Sequence, residues 1–272
     1  MNPNDTLTTR HVNLPGAGDV ELTVDDRGEG QPFLLLHGGA GPQSMLPFAG
    51  LLAEREHNRV FTPIHPGFGG TPRPDDLNNI AGLAVLYRTL LDTLELDDVT
   101  VIGNSIGGWI TAEMALLNSP RISGVVLIDA VGIEVEGHPV ADVSALSVPE
   151  IMALSFHDPA PFIVDPNTLT DAQKAGIAAN AAALQDYTAG TMADLTLLDR
   201  LRSIAIPTLV LWGESDQIVD PDYGRAYANA IHWARFQVLP ASGHMPQLET
   251  PQLLLQTIWD SGEAPYQGTY TK

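Results

Sequence analysis

Val99-Thr100-Val101-Ile102-Gly103-Asn104-Ser105-Ile106-Gly107-Gly108-Trp109 decides the fold. A β-rich run, Val99 to Gly103, passes through Asn104-Ser105 into a helix-like stretch from Trp109 to Asn118. Ser105 therefore stands where a strand ends and a helix begins, and Gly103 and Gly107 occupy the two places where a side chain would crowd so tight a turn. This is the pattern of a nucleophile elbow. The turn holds the hydroxyl out at the carboxyl end of the strand, and the first turn of the helix offers unpaired N–H groups to a developing oxyanion.

Outward from the elbow, the chain alternates strand and helix. Val20 to Asp26 alternates as a strand, and Pro32 to Leu36 is short and continuously apolar, as a central strand covered on both faces is. That strand runs into His37-Gly38-Gly39-Ala40-Gly41-Pro42. Leu46 to Glu56 reads as a short helix, Val60 to Ile64 as a strand, and His65-Pro66-Gly67-Phe68-Gly69-Gly70 as a rigid turn. Asn78 to Leu94 carries apolar residues at helical spacing, and Ile122 to Ile128 is another buried strand. The order implies a mostly parallel sheet with helices on both faces.

The alternation breaks at Val131. From Gly132 to Asp199 there is no core strand, only helical pieces at Pro149 to Ser155 and Asp171 to Leu198. An unstructured connection of this length is improbable in a compact domain, so a helical cap over the sheet is expected, with Phe156 among the residues on its underside. The sheet resumes at Pro207 to Gly213 and ends with Phe236 to Leu239. A helix over Tyr223 to Ala230 lies between them, and Gln247 to Asp260 closes the domain. The expected division is 1–130 and 201–260 for the core, 131–200 for the cap and 261–272 for a tail.

A serine hydroxyl needs a general base, and the base needs an orienting acid. Both should lie in loops at the carboxyl ends of strands, on the same sheet edge as Ser105. His244, in the short loop after the last strand, meets that demand, and Asp216, three residues beyond Gly213, is the first choice for the acid. Asp129 at the end of the strand after the elbow is its rival, with Glu214 and Asp220 behind; Asp220 is the expected N-cap of the next helix. The N–H of Ile106 and that of Gly39, preferred over Ala40, are the expected oxyanion donors. His37, Ala40, Trp109, Phe156 and Met245 are candidate substrate contacts. HGGAGP lacks the lysine and hydroxyl residue of a nucleotide P-loop, and no dinucleotide fingerprint is present.

Composition narrows the partners. The 272 residues include 33 acids against 13 lysines and arginines, for a formal charge of -20, and no basic cluster, which disfavours nucleic acid and anionic membranes. Cysteine is absent, which removes disulfides and thiolate chemistry. No signal pattern opens the chain and no apolar run approaches the ~20 residues of a membrane span. A cytoplasmic enzyme of undetermined oligomeric state is the expectation, acting on a small molecule without cofactor or metal.

HGGAGP from His37, HPGFGG from His65, GNSIGG around Ser105, WGESD ending in Asp216 and SGHMPQLE around His244 together resemble the α/β-hydrolase fold family, in its serine branch with a helical cap. The resemblance covers nearly the whole chain. It implies eight strands, the second antiparallel to the rest, and assigns Ser105 as nucleophile, His244 as base and Asp216 as acid. Ser105 separates the chain from the relatives that use an aspartate nucleophile, and His65 stands where relatives commonly have aspartate. The leading expectation is hydrolysis of a small, largely apolar ester or lactone through an acyl-enzyme. The alternative is hydrolysis of a carbon–carbon bond in a diketone-type ring-cleavage product, which an arginine facing the pocket would favour. A small-ligand receptor on the same fold is the non-enzymatic reading. From 131 to 199 the only basic side chain besides histidine is Lys174, so neutral substrates are expected to be preferred over carboxylate-bearing ones.

Overall fold

Successive side chains of a strand point to opposite faces of its sheet, so a strand that is apolar throughout must be covered on both sides. The computed structural model, which describes residues 6–143 and 145–261, shows this in β3 (Gln31–Leu36). Leu34 and Leu36 enter one apolar layer, whereas Phe33 and Leu35 enter the other. β5 (Val99–Asn104), β6 (Ile122–Ile128) and β7 (Thr208–Gly213) divide in the same way: Val101, Leu127 and Trp212 face the first layer, and Ile102, Val126 and Leu211 the second. The first layer is covered by α2 (Ile80–Thr93), α3 (Ile106–Leu116) and α7 (Pro221–Ala230). The second is covered by α1 (Leu46–Ala53) and α9 (Pro251–Asp260).

With β1 (Leu7–Leu14), β2 (Gly18–Gly28), β4 (Asn58–Pro63) and β8 (Arg235–Leu239), the sheet has eight strands in the order β1-β2-β4-β3-β5-β6-β7-β8. β2 runs antiparallel to both its neighbours and the remaining pairs are parallel. The carboxyl ends of β3, β5, β6, β7 and β8 therefore share one edge.

Between β6 and β7 lie α4 (Val148–Ser155), α5 (Asp171–Thr188) and α6 (Leu197–Arg200), the helical cap. Capping boxes at Ser147 with Glu150 and at Thr170 with Gln173 start the first two. The single helical piece expected over Asp171 to Leu198 is two helices: Ala189 takes a left-handed φ of 48°, and α5 stops there. The closing helix is likewise divided, into α8 (Pro246–Glu249) and α9, because Pro251 has no N–H to continue the first helix but suits the first position of a second. β1 is the strand that pattern alone misses, since only Val12 and Leu14 of its eight residues are buried. Asp220 caps α7 as expected, accepting from the N–H groups of Asp222 and Tyr223. The expected tail falls, beyond Ser261, outside the described residues. Among the described residues, no helix is long and apolar enough to cross a membrane.

Candidate active site

Ser105 joins β5 to α3 with φ 58° and ψ -120°, a strained backbone for a residue with a side chain. The glycines around it are sterically required. A Cβ on Gly103 would sit 2.1 Å from the Gly107 carbonyl oxygen, and one on Gly107 would sit 2.2 Å from that of Leu36. The turn thus fits between its own helix and β3 only without those side chains. Ile106 opens α3, where a helix provides its N–H with no acceptor.

His244 and Asp216 are brought together directly. Nδ1 of His244 donates to Oδ2 of Asp216 at 2.7 Å, and both side chains are buried. The other oxygen of Asp216 accepts from the N–H groups of Ile218 and Val219 at 2.8 and 3.1 Å, which locks the carboxylate in place. Two of its rivals are engaged elsewhere: Glu214 accepts from the Ala241 N–H, and Asp220 bonds His138 besides capping α7. Asp129 lies fully buried close to the His244–Asp216 pair.

Ser105 reaches this pair through the residue before it. Asn104 Nδ2 donates to the His244 carbonyl at 2.9 Å, and its Oδ1 accepts from Gln247 Nε2 at 3.0 Å. No hydrogen bond joins the Ser105 hydroxyl to His244 among the described residues.

The cap holds the same loops. The His244 N–H donates to the Ser155 carbonyl at 2.7 Å, and Gln217 N–H to that of Leu154 at 3.0 Å, so the end of α4 is bonded to both the His244 loop and the Asp216 loop. Glu249 accepts from Gly243 N–H with one oxygen and from Asp158 N–H with the other. His157 Nδ1 lies 2.8 Å from the Ser215 hydroxyl. Asn104, Gln247 and Glu249 were not anticipated, although each falls inside a motif already noticed, GNS or HMPQLE.

The glycine loop after β3 lies beneath α5. Leu184 would be 3.0 Å from a Cβ on Gly39, and Asn180 bonds the Ala40 carbonyl and the Gly69 N–H. Both ring nitrogens of His37 are engaged within the protein, Nδ1 donating to the Gly38 carbonyl and Nε2 accepting from the His65 N–H of the turn after β4. His65 stacks on His37 at 3.7 Å, donates from Nε2 to the His37 carbonyl and accepts from the Tyr87 hydroxyl at Nδ1. Trp109 is buried against Gly132, Phe156 stacks on Phe162 at 4.2 Å, and Met245 is half-buried at the start of α8. The arginines that could have served an anionic substrate are paired: Arg73 with Asp186, Arg88 with Asp92, Arg121 with Asp92 and Asp97, and Arg200 with Glu113 and Asp194.

The two stacked imidazoles yield a stability prediction. Burial lowers His37 to about 4, and burial together with the neighbouring His37 holds His65 well below the ordinary histidine range. Unfolded histidines bind a proton below about pH 6.5 while these do not, so their contribution is complete above that pH and lost as pH falls. His37 should cost up to about 1.4 kcal/mol per pH unit between about 6.5 and 4, and His65 acts in the same direction. Urea unfolding across that range should show a steeper loss for the wild type than for His65→Gln. Equal slopes would disprove the assignment.

The sequence profile of a family described as the alpha/beta hydrolase family matches residues 33–257. A 2-hydroxy-6-oxo-2,4-heptadienoate hydrolase of Pseudomonas putida is 35% identical over 123 residues, a span of 44% of this chain and 45% of that enzyme. The 2-hydroxy-6-oxo-6-(2'-aminophenyl)hexa-2,4-dienoic acid hydrolase of Metapseudomonas resinovorans is 25% identical over 259 residues, 89% of this chain and 87% of that enzyme. Among solved structures, an esterase from Exiguobacterium antarcticum superposes with a TM-score of 0.74 at 23% identity, covering 93% of this chain and 99% of the esterase.

Proposed function

Since the chain belongs to the alpha/beta hydrolase family, we propose that it is a serine hydrolase of small metabolites, with Ser105 as nucleophile, His244 as general base and Asp216 as orienting acid. The observation that carries this reading is the His244–Asp216 hydrogen bond on the sheet edge where the elbow presents Ser105. His244 takes the Ser105 proton as the hydroxyl oxygen adds to a substrate carbonyl. The N–H groups of Ile106 and Gly39 stabilise the resulting oxyanion. His244 then returns the proton to the departing group, and water, deprotonated by the same imidazole, releases the acyl group as a carboxylic acid.

The bond broken is a carbon–carbon bond beside a ketone, as the 2-hydroxy-6-oxo-dienoate hydrolases among its relatives suggest. Once the 2-hydroxy group of such a substrate is in its keto form, the carbon departing from the 6-oxo carbon is conjugated with the new ketone. It leaves as an enolate, and the proton from His244 completes the enol product. Ester hydrolysis is the second reading, and one observation favours it: Arg73 and Arg200 are held by acids of the protein itself, while Lys174 is exposed on α5.

The two readings order substrates oppositely. Carbon–carbon hydrolysis predicts a kcat/KM for a 2-hydroxy-6-oxo-dienoate at least ~10-fold above that for a p-nitrophenyl ester of matched acyl group, about 1.4 kcal/mol in transition-state binding. Measuring both at low and high salt removes the long-range repulsion due to the net charge. The reverse order at both salt concentrations assigns the ester.

A further inference from the structure

Asp129 takes no step in that scheme, yet it is buried beside it. It follows β6 and has no exposed surface. Its Oδ1 accepts from the Gly213 N–H at 2.7 Å, whereas its Oδ2 is buried without a hydrogen-bond partner. An oxygen of Asp129, an oxygen of Asp216 and a ring nitrogen of His244 lie within 4.8 Å of one another. These two are the titratable groups set against Asp129, and no lysine or arginine among the described residues bonds either carboxyl. Two ionised carboxylates cannot share such a place without a cation or a proton.

A metal ion is the poorer solution. The ligands of a tetrahedral ion bound at about 2.0–2.1 Å stand about 3.3 Å apart. His244 Nδ1 and Asp216 Oδ2 are 2.7 Å apart, the spacing of a direct hydrogen bond, and the other Asp216 oxygen is already taken by two N–H groups. A proton satisfies every atom: placed on Oδ2 of Asp129, it turns a stranded acceptor into a donor.

We propose that Asp129 is held as the neutral acid and donates a hydrogen bond to the Asp216 carboxylate, as a positioning residue that limits the acid–imidazole unit to one negative charge. The proposal rests on the reading of Asp216 and His244 as orienting acid and base. Burial, and after it the charge of Asp216, pushes the Asp129 carboxyl well above the usual carboxylate range, in keeping with this state. By sharing the Asp216 charge, the donor moderates how tightly the pair holds a proton on His244. Asparagine can reproduce both contacts, its oxygen accepting from Gly213 and its amide donating to Asp216; alanine can make neither.

Two readouts test this on the full chain. Infrared difference spectra at neutral pH, wild type minus Asp129→Asn, should show the carbonyl stretch of a protonated carboxylic acid; its absence overturns the proposal. In the pH profile of kcat/KM, Asp129→Ala should lose at least ~10-fold near neutral pH and raise the acidic midpoint by about half a unit or more, while Asp129→Asn should restore both. A midpoint that falls by about a unit in Asp129→Asn would mean that the wild-type group is ionised. A midpoint unmoved in a folded Asp129→Ala protein would mean packing alone. Zinc bound by the wild type and lost in Asp129→Asn would mean a metal centre. Each of these overturns the proposal. Should Asp129→Ala fail to fold, the infrared band and the Asp129→Asn profile still decide. A protonated-carboxyl band in an enzyme whose Ser105→Ala variant keeps its activity would remove Ser105 as the nucleophile while supporting the proton on Asp129.

Discussion

Ser105→Ala is expected to lower kcat by at least ~10³-fold while leaving the protein folded, the scale seen when a nucleophile is removed from a coupled serine–histidine–acid set. The effect should fall on kcat far more than on KM, because the hydroxyl forms a bond that exists only after substrate has bound. The fold should tolerate the change. Ser105 makes its backbone contacts through its N–H to Ile128 and its carbonyl to Trp109 and Val131, none of which needs the side chain. Alanine also inherits the left-handed φ that the wild-type residue already adopts. Steady-state kinetics on purified Ser105→Ala, with circular dichroism as the folding control, measures it. Turnover near the wild-type kcat would remove Ser105 from the mechanism.

The second large effect is expected in Asp216→Asn, at about 10²–10⁴-fold in kcat. The two N–H groups of Ile218 and Val219 will hold the carbonyl oxygen of the new amide where Oδ1 was. Its NH2 is then aimed at His244 Nδ1, where the carboxylate had accepted. The imidazole must place its proton on Nε2 to accept that bond, which is the wrong tautomer for taking a proton from serine. The structure should barely move while the rate collapses. If kcat survives in Asp216→Asn and is lost in Asp129→Asn, the acid is Asp129.

The contrast between what sequence reading located and what it missed has a physical pattern. GNSIGG is readable because Gly103 and Gly107 admit no Cβ, so the turn writes its geometry into residue types. The meeting of Asp216 with His244 was legible from topology, since a parallel sheet delivers its strand ends to one edge. The grip of the cap on these loops was invisible for the opposite reason. Its bonds to His244 and Gln217 are made through the backbone carbonyls of Ser155 and Leu154, which any residue supplies. The end of α5 was missed because Ala189, with a side chain, occupies a left-handed position usually given to glycine, and Gly190 comes one residue later. The break before α9 was announced by Pro251 but hidden by apolar spacing that continues through it. β1 buries only Val12 and Leu14 while its half-buried Thr8 and Arg10 are polar, so apolar alternation does not mark its first half.

The bond from Asn104 to the carbonyl of His244 joins residues 140 apart in the chain, and the carbonyl of Ser155, to which the His244 N–H is bonded, belongs to the intervening segment. Closing so long a loop has an entropic cost that local contacts do not offset, and contacts of this range generally form late. During synthesis Ser105 emerges with its strand and helix well before His244, its proposed base. On refolding, helical signal should therefore return ahead of hydrolytic activity, and the interval between the two should lengthen when the α4 end is loosened. On the proposed mechanism, activity appears only once the last strand has docked, because a nascent or truncated chain has no base to act on the Ser105 hydroxyl.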